Sequence, residues 1–475
     1  MQRLPGFDAA FLALESATNH MHVASLLIVD PAGVSGGWTA DRVRDVVRDR
    51  LPAVPPFRRR LVPVPFGINH PLWADVPDPD LSFHIRRAAV PRPGGPQELA
   101  DVVADLMGRA LDRSRPLWEL HVIEGLARGL AAVMIKAHHS ALDGVSGSEL
   151  LVRLLDESAE PRPPERQAAG GEEPGDSVTG DTVSEAQLIG AAVAGLPGTE
   201  RLMAAVQRTL ATVAGLRHRN STSEDPPPPS PFTAPRTSLN VRIGPWRRVA
   251  WVRLALGDVK KVTSALGGTV NDVVLALCSI ALDSYFADHD EKPDGDLVAL
   301  VPLSARAGRE QAGLGNRISP MLVSLASGVE AAGDRLRAIS AGIAQARAQD
   351  RVVQRDLLAG WADLVVPALA VPVARLGSRL LVGGALAPAF NLIVSNVPGP
   401  KAPLFLAGAR VLELYPLGPV LDGAGLNITV MTYGDYIHVG VVADRDAVPD
   451  AGRITAGMEA ALNELLGEIE GPGRR

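Results

Sequence analysis

The chain has 475 residues, of which 46% are hydrophobic, 21% charged and only 4% aromatic, with a formal net charge of −6 at pH 7. That length exceeds what one hydrophobic core serves, so two domains are expected. The acidic balance supplies no basic field for polyanions, and the scarcity of aromatics excludes a base-stacking surface, so nucleic acid is not an expected partner. The single cysteine, Cys278, excludes an internal disulfide and a cysteine-cluster metal site.

Residues 1–156 alternate strand and helix. The N-terminus, Met1 to Asp8, has no basic-then-apolar targeting pattern. His22 to Val29 reads as a strand, and Thr39 opens a helix carrying Val43, Val46, Val47 and Leu51. Between them, Gly33-Val34-Ser35-Gly36-Gly37 has the letters of a serine-hydrolase nucleophile elbow. That elbow needs a strand running straight into the serine and a helix starting at once. Asp30-Pro31 and Gly36-Gly37 break both, so the segment is a connecting loop. Phe57-Arg58-Arg59-Arg60 reads as a solvated basic face, with phosphate binding as the sharper alternative. Leu99 to Leu111 reads as a helix, and Pro116 to Glu124 as a strand that pairs with the next one, Ala131 to Ala137.

That strand runs into His138-His139-Ser140-Ala141-Leu142-Asp143-Gly144. Ser146 and Glu149 then match a capping box, followed by an apolar face of Leu150, Leu151, Leu154 and Leu155. From Glu157 to Glu185 the composition turns to Pro, Gly, Glu and Asp, a linker. A helical island around Leu202 to Leu216 reads as an interdomain helix, with a membrane-surface or lid helix as the alternative. Pro226 to Pro229 forms a stiff spacer. The second half is another α/β unit. Val249–Leu256 is a strand and Asp258–Leu266 a helix, and Thr269-Val270-Asn271-Asp272 caps a long apolar helix through Ala281. Leu297–Leu303, Ile318–Leu325 and Phe390–Val397 are strands, Ala331–Ala348 a helix, Leu426–Tyr433 and Tyr436–Val442 a hairpin around Gly434-Asp435, and Ala451–Ile469 the last helix. The expected organisation is 1–156, a linker region 157–236, and 237–475. No uncharged apolar run reaches the roughly 18 residues of a membrane span, and the longest candidate, Leu364 to Ala374, contains Pro367 and Pro372. A cytoplasmic protein without a transmembrane segment is expected. No phosphate-binding glycine loop or dinucleotide fingerprint occurs.

Three readings fit the His138–Gly144 segment. In the first, polar residues end a strand and Asp143 caps a turn. In the second, the histidines bind a metal; consecutive residues on an extended segment point to opposite faces, and no third ligand stands out. In the third, an imidazole acts as general base, with Asp143 fixing its tautomer or bracing the loop. No protein nucleophile stands nearby, which suits direct transfer from an acyl donor to an acceptor. Asn271, at a helix start, is a candidate for the developing oxyanion, while simple capping explains it equally well.

The segment, with further blocks, resembles the bacterial wax ester synthase/diacylglycerol acyltransferase family, which shares an HHxxxDG motif with peptide-synthetase condensation domains. The blocks are Asp8-Ala9-Ala10-Phe11-Leu12 with Met21-His22-Val23, Pro116-Leu117-Trp118-Glu119, and Gly267-Gly268-Thr269-Val270-Asn271-Asp272-Val273. Val301-Pro302-Leu303-Ser304-Ala305-Arg306 with Gly315-Asn316, Ser395-Asn396-Val397-Pro398-Gly399-Pro400, and Gly425-Leu426-Asn427 complete them. The resemblance spans the chain outside about 157 to 232. It implies an α/β (α+β) fold of two chloramphenicol-acetyltransferase-like domains with the active-site channel between them. His139 would take the hydroxyl proton of a fatty alcohol or diacylglycerol, which attacks acyl-CoA as co-substrate; no metal or redox cofactor is implied. His138 and Asp143 would hold the loop, Gly144 would lie at the substrate, and Asn271 and Asp272 would line or support the acceptor tunnel. Peripheral contact with the inner membrane or lipid droplets fits such substrates. Transfer to another alcohol or amine, from a carrier protein, and a non-catalytic lipid-binding relative are the alternatives.

Overall fold

The computed structural model describes residues 2–67, 69–142, 147–162, 229–304, 318–350 and 387–471. The first half runs β1 (Gln2–Arg3), α1 (Gly6–Leu14), β2 (His22–Asp30), α2 (Ala40–Arg50), β3 (Arg59–Val62), β4 (Leu72–Asp75), α3 (Leu81–His84), β5 (Ile85–Ala89), α4 (Pro96–Met107), β6 (Trp118–Glu124), β7 (Ala131–His138) and α5 (Gly147–Leu154). The second half runs β8 (Arg247–Ala255), α6 (Leu256–Leu266), α7 (Val270–Asp288), β9 (Val298–Ser304), β10 (Ile318–Ser324), α8 (Ala332–Asp350), β11 (Leu392–Val397), β12 (Phe405–Leu406), β13 (Ala409–Leu417), β14 (Leu426–Tyr433), β15 (Tyr436–Asp444) and α9 (Ala451–Glu470).

Two mixed six-stranded sheets carry the fold, ordered β12-β13-β2-β7-β6-β5 and β10-β9-β11-β14-β15-β8, beside a small β1-β4-β3 sheet. The first sheet is not built from the first half alone. β13 pairs antiparallel with β2, Tyr415 opposite Leu26 and Leu417 opposite Ala24, with a register shift between Val411 and Glu413. The unit expected over 237–475 therefore lends two strands to its neighbour's sheet. The local pattern of Ala409–Leu417 is strand-like, but only the fold places its partner hundreds of residues upstream.

Alternation decides which core each side chain joins. From β2, Leu27 and Val29 face α2 and α5, packing on Val43, Val47, Leu150, Leu151 and Leu154. Leu26 and Ile28, on the other face, join Met134 of β7, Val103 and Met107 of α4, Tyr415 and Leu417 of β13, and Val249 and Val442 of the second sheet. One apolar layer thus welds the two sheets together. A Cβ on Gly440 of β15 would stand 1.9 Å from the Pro416 carbonyl of β13, so only glycine permits this approach.

The third core holds α7, whose Thr269–Asp272 capping box forms as expected: Asp272 N donates to Thr269 Oγ1 at 3.3 Å, and Thr269 N to Asp272 Oδ2 at 2.9 Å. Among the described residues α7 is the one helix long and apolar enough to cross a membrane, yet two-thirds of that stretch is buried against α8, α9 and the second sheet. Cys278 lies within it, and burial pushes its thiol up to about 12, the state of a structural cysteine.

Candidate active site

β7 is buried along its whole length, and its hydrophobic run explains why. Its one charged residue, Lys136, is fully buried and donates to the carbonyls of Leu106 and Arg109, each at 3.0 Å, where α4 ends. Glu119 of β6 sits 3.2 Å from its Nζ. Burial pushes the Glu119 carboxyl up, but His121 and Lys136 outweigh that and hold it down at about 2. This polar knot locks the strand that delivers the two histidines.

At the strand end, His138 caps a single 3-10 turn, His139–Ala141. Its Nδ1 accepts from Ser140 N at 3.1 Å and lies 2.7 Å from Ser140 Oγ. A backbone amide can only donate, so the neutral ring carries its proton on Nε2. That nitrogen lies 3.4 Å from Glu15 Oε2, just past the end of α1. Arg113 binds the same carboxylate through Nε at 2.9 Å and through Nη2. Burial raises the Glu15 carboxyl, yet His138 and then Arg113 more than offset it, leaving it below the ordinary range. A carboxylate held by Arg113 therefore faces His138.

His139 turns the other way. Its amide donates to the Met21 carbonyl at 2.9 Å, and its ring lies on Phe11 of α1, centroids 4.1 Å apart and planes 30° apart. The residue keeps partial exposure while its ring Nδ1 is enclosed without a partner. Burial first, and then His138, drive the His139 ring down to about 4, so it stands neutral at physiological pH. A neutral imidazole with one nitrogen enclosed is an acceptor of protons, held ready by packing.

Asp8, Phe11 and Glu15 fall at i, i+3 and i+7, one face of α1, and that face meets the histidine turn. Sequence reasoning missed Glu15. The available signal was a second acid, seven residues after Asp8 and one turn past the aromatic Phe11, on the same face of a mostly apolar helix. Asp143 and Gly144 lie outside the described residues, as do Ser146 of the capping box, the 202–216 island, Leu364–Ala374, and Ala305, Arg306, Gly315 and Asn316.

Asn271 and Asp272 start α7. Asn271 Oδ1 accepts from Asn396 Nδ2 at 3.4 Å, joining two of the sequence blocks, and Asp272 Oδ2 accepts from Ser340 at 2.9 Å. Among the described residues no hydrogen bond links either residue to His138 or His139. Trp118 serves the core: its indole stacks between Phe57 and His84, both centroids at 4.4 Å, and donates to the Phe57 carbonyl at 3.0 Å. Of the basic run, Arg58 donates to the Pro77 carbonyl and Arg59 pairs with Asp75, as a solvated face would. Among the described residues no three His, Cys, Asp or Glu side chains are grouped to hold a metal ion.

Comparison with known proteins shows the family and the fold. Residues 4–274 match the model of the wax ester synthase/diacylglycerol acyltransferase catalytic domain, and residues 314–466 that of the C-terminal domain of the same enzymes. A Mycobacterium tuberculosis protein named for diacylglycerol O-acyltransferase activity is 36% identical over 469 residues, covering 98% of this chain and 90% of its own. A second from that organism is 34% identical over 466 residues, with coverage of 98% and 96%. The solved wax ester synthase/diacylglycerol acyltransferase of Marinobacter aquaeolei superimposes with a TM-score of 0.69 at 29% identity, covering 99% of this chain and 100% of that one. The first condensation domain of the calcium-dependent antibiotic synthetase shares the fold at a TM-score of 0.56 and 16% identity, covering 100% and 97%.

Proposed function

Because the chain belongs to the wax ester synthase/diacylglycerol acyltransferase family, we propose that it moves an acyl group from acyl-CoA to the hydroxyl of diacylglycerol or a long-chain alcohol, with His139 as general base. The observation that carries the residue assignment is the neutral His139 ring, packed on Phe11, with its backbone amide held by the Met21 carbonyl. The enclosed Nδ1 leaves Nε2 to take the acceptor's hydroxyl proton. The oxygen then attacks the thioester carbonyl, forming the C–O bond. Collapse of the tetrahedral intermediate breaks the C–S bond, and the imidazolium returns its proton to the departing thiolate. The products are an ester and free coenzyme A, with the base restored. Glu15 supports the neighbouring His138 and takes no proton in this scheme.

Each substrate contributes a hydrocarbon chain, and the reading includes peripheral contact with a bilayer or lipid droplet. A panel of acceptors with one long-chain acyl-CoA, followed by thiol release and lipid chromatography, tests it. Thiol release that depends on a lipid alcohol, with the matching ester formed, is expected. Release with no acceptor, or only with amines, refutes it. His139→Ala should lower kcat by roughly 10²–10⁴, the range for loss of a general base; unchanged turnover removes the assignment.

A further inference from the structure

The segment between α1 and β2 touches both motif histidines. Glu15 at its start faces His138, and the carbonyl of Met21 at its end holds the amide of His139 at 2.9 Å. In between it is tied into a loop: Ser16 N donates to the Asn19 carbonyl at 2.7 Å, Asn19 N to Ser16 Oγ at 3.1 Å, and Asn19 Nδ2 to the Leu14 carbonyl at 3.1 Å. His20 Nε2 lies 3.1 Å from the Gly108 carbonyl at the end of α4. Met21 is buried with φ at 48°, a left-handed conformation that a methionine holds only when its surroundings impose it. Within the segment, Met21 N donates to Asn19 Oδ1 at 3.4 Å, and β2 continues from it into the ladder with β7.

The second sheet reaches the same segment at Thr18. Arg247, the first residue of β8, is buried, and its guanidinium donates through Nη2 to the Thr18 carbonyl. Its Nη1 binds the carbonyls of Gly244 at 2.7 Å and Trp246 at 3.1 Å. Three carbonyls on one fork spend a buried charge on backbone positioning, which is costly unless the placement matters. We propose that Arg247 is a positioning residue for His139. It clamps the Glu15–Met21 segment at Thr18, so that the Met21 carbonyl meets the His139 amide only when the second sheet is seated on the first. The base is thereby assembled by the union of the two halves. This rests on the reading of His139 as the base, and Arg247 touches no reacting atom.

The test compares Arg247→Met, which keeps the stem and removes the fork, with Arg247→Lys, which keeps one donor for Thr18. The neighbouring Asp444 carboxylate keeps partners in either variant, being bound by the amides of Gly244, Asp446 and Ala447. Hydrogen–deuterium exchange on the ligand-free protein should show amides of residues 16–22 and 138–142 exchanging about tenfold faster or more in R247M, with Val270–Asp288 unchanged. In turnover, kcat should fall roughly 10- to 100-fold, as small misplacements of a catalytic group do, with KM for acyl-CoA within about twofold. R247K should fall between. Unchanged exchange at 138–142, or kcat within about twofold of the parent, overturns the proposal. If R247M loosens the whole chain, R247K decides: local acceleration supports the clamp and uniform acceleration overturns it. A parent enzyme inactive on every acceptor would remove the functional reading, while the exchange data would still judge the clamp.

Discussion

Replacing Phe11 by alanine opens the apolar side of the His139 ring to water. Burial is the first cause of that ring's lowered pKa, about 4 against an ordinary 6.5. At pH 5.5 a ring with that pKa is about 97% neutral, whereas an unperturbed one is only about 9% neutral. The parent enzyme should thus keep nearly its full kcat/KM at pH 5.5, and lose half only near pH 4. An ordinary histidine base would already have lost about tenfold. Phe11→Ala should move the acid midpoint up by about 1–2 units, cutting its rate at pH 5.5 by about 1.3- to 4-fold relative to its own rate at pH 8. The assay is thiol release from a fixed long-chain acyl-CoA, read with a disulfide reagent that works in acid, after brief pH jumps, with circular dichroism confirming the fold. A parent midpoint between pH 6 and 7, or a midpoint unmoved in folded Phe11→Ala, refutes the reasoning. The same shift bears on stability. Folding favours the neutral ring, so this contribution is present above pH 6.5 and is lost as pH falls from there toward 4. It amounts to about 3 kcal/mol at most. His438, likewise driven by burial to about 4, adds to the same acid loss.

Two further substitutions probe the scaffold around the base. Glu15→Gln keeps an acceptor for His138 Nε2 but removes its charge, so kcat should fall by about 3- to 30-fold, and Glu15→Ala should fall further; equal kcat in all three would show that the carboxylate positions nothing. Gly440→Ala pushes a methyl into the Pro416 carbonyl and should lower Tm by several degrees, on the order of 2–4 kcal/mol, in a thermal melt; an unchanged melt would mean that the two sheets are not in contact there.

The parts of the fold governed by neighbours in sequence were legible in the residues. Thr269 and Asp272 cap α7 as their spacing requires, and the Gly434-Asp435 turn joins β14 and β15 in the register the alternation demands. Pro116–Glu124 does pair with the strand that carries His138. What depends on distant partners was not. Nothing local in Ala409–Leu417 tells which sheet it joins, because its ladder is completed by β2. The histidine pair was visible as chemistry, but a carboxylate reaching it from another helix was not. The carboxylate that faces His138 among the described residues comes from Glu15, brought there by a helix packing across the turn. Asn271 marked a helix start with two meanings, and its contact with Asn396 adds a structural one.

The late arrival of β13 bears on how the chain is made. A ribosome that has released Asp30 must still add nearly four hundred residues before Leu417 emerges, some 20–80 s at ordinary elongation rates. Throughout that interval β2 presents a bare row of amides and carbonyls with apolar side chains on both faces, the kind of edge that recruits foreign strands. Synthesis of this protein is therefore a race between completion of its own sheet and capture by another nascent chain. Cells that produce it should depend on a holding chaperone for yield, and a gene split within 163–228 should give fragments that are soluble only when made together.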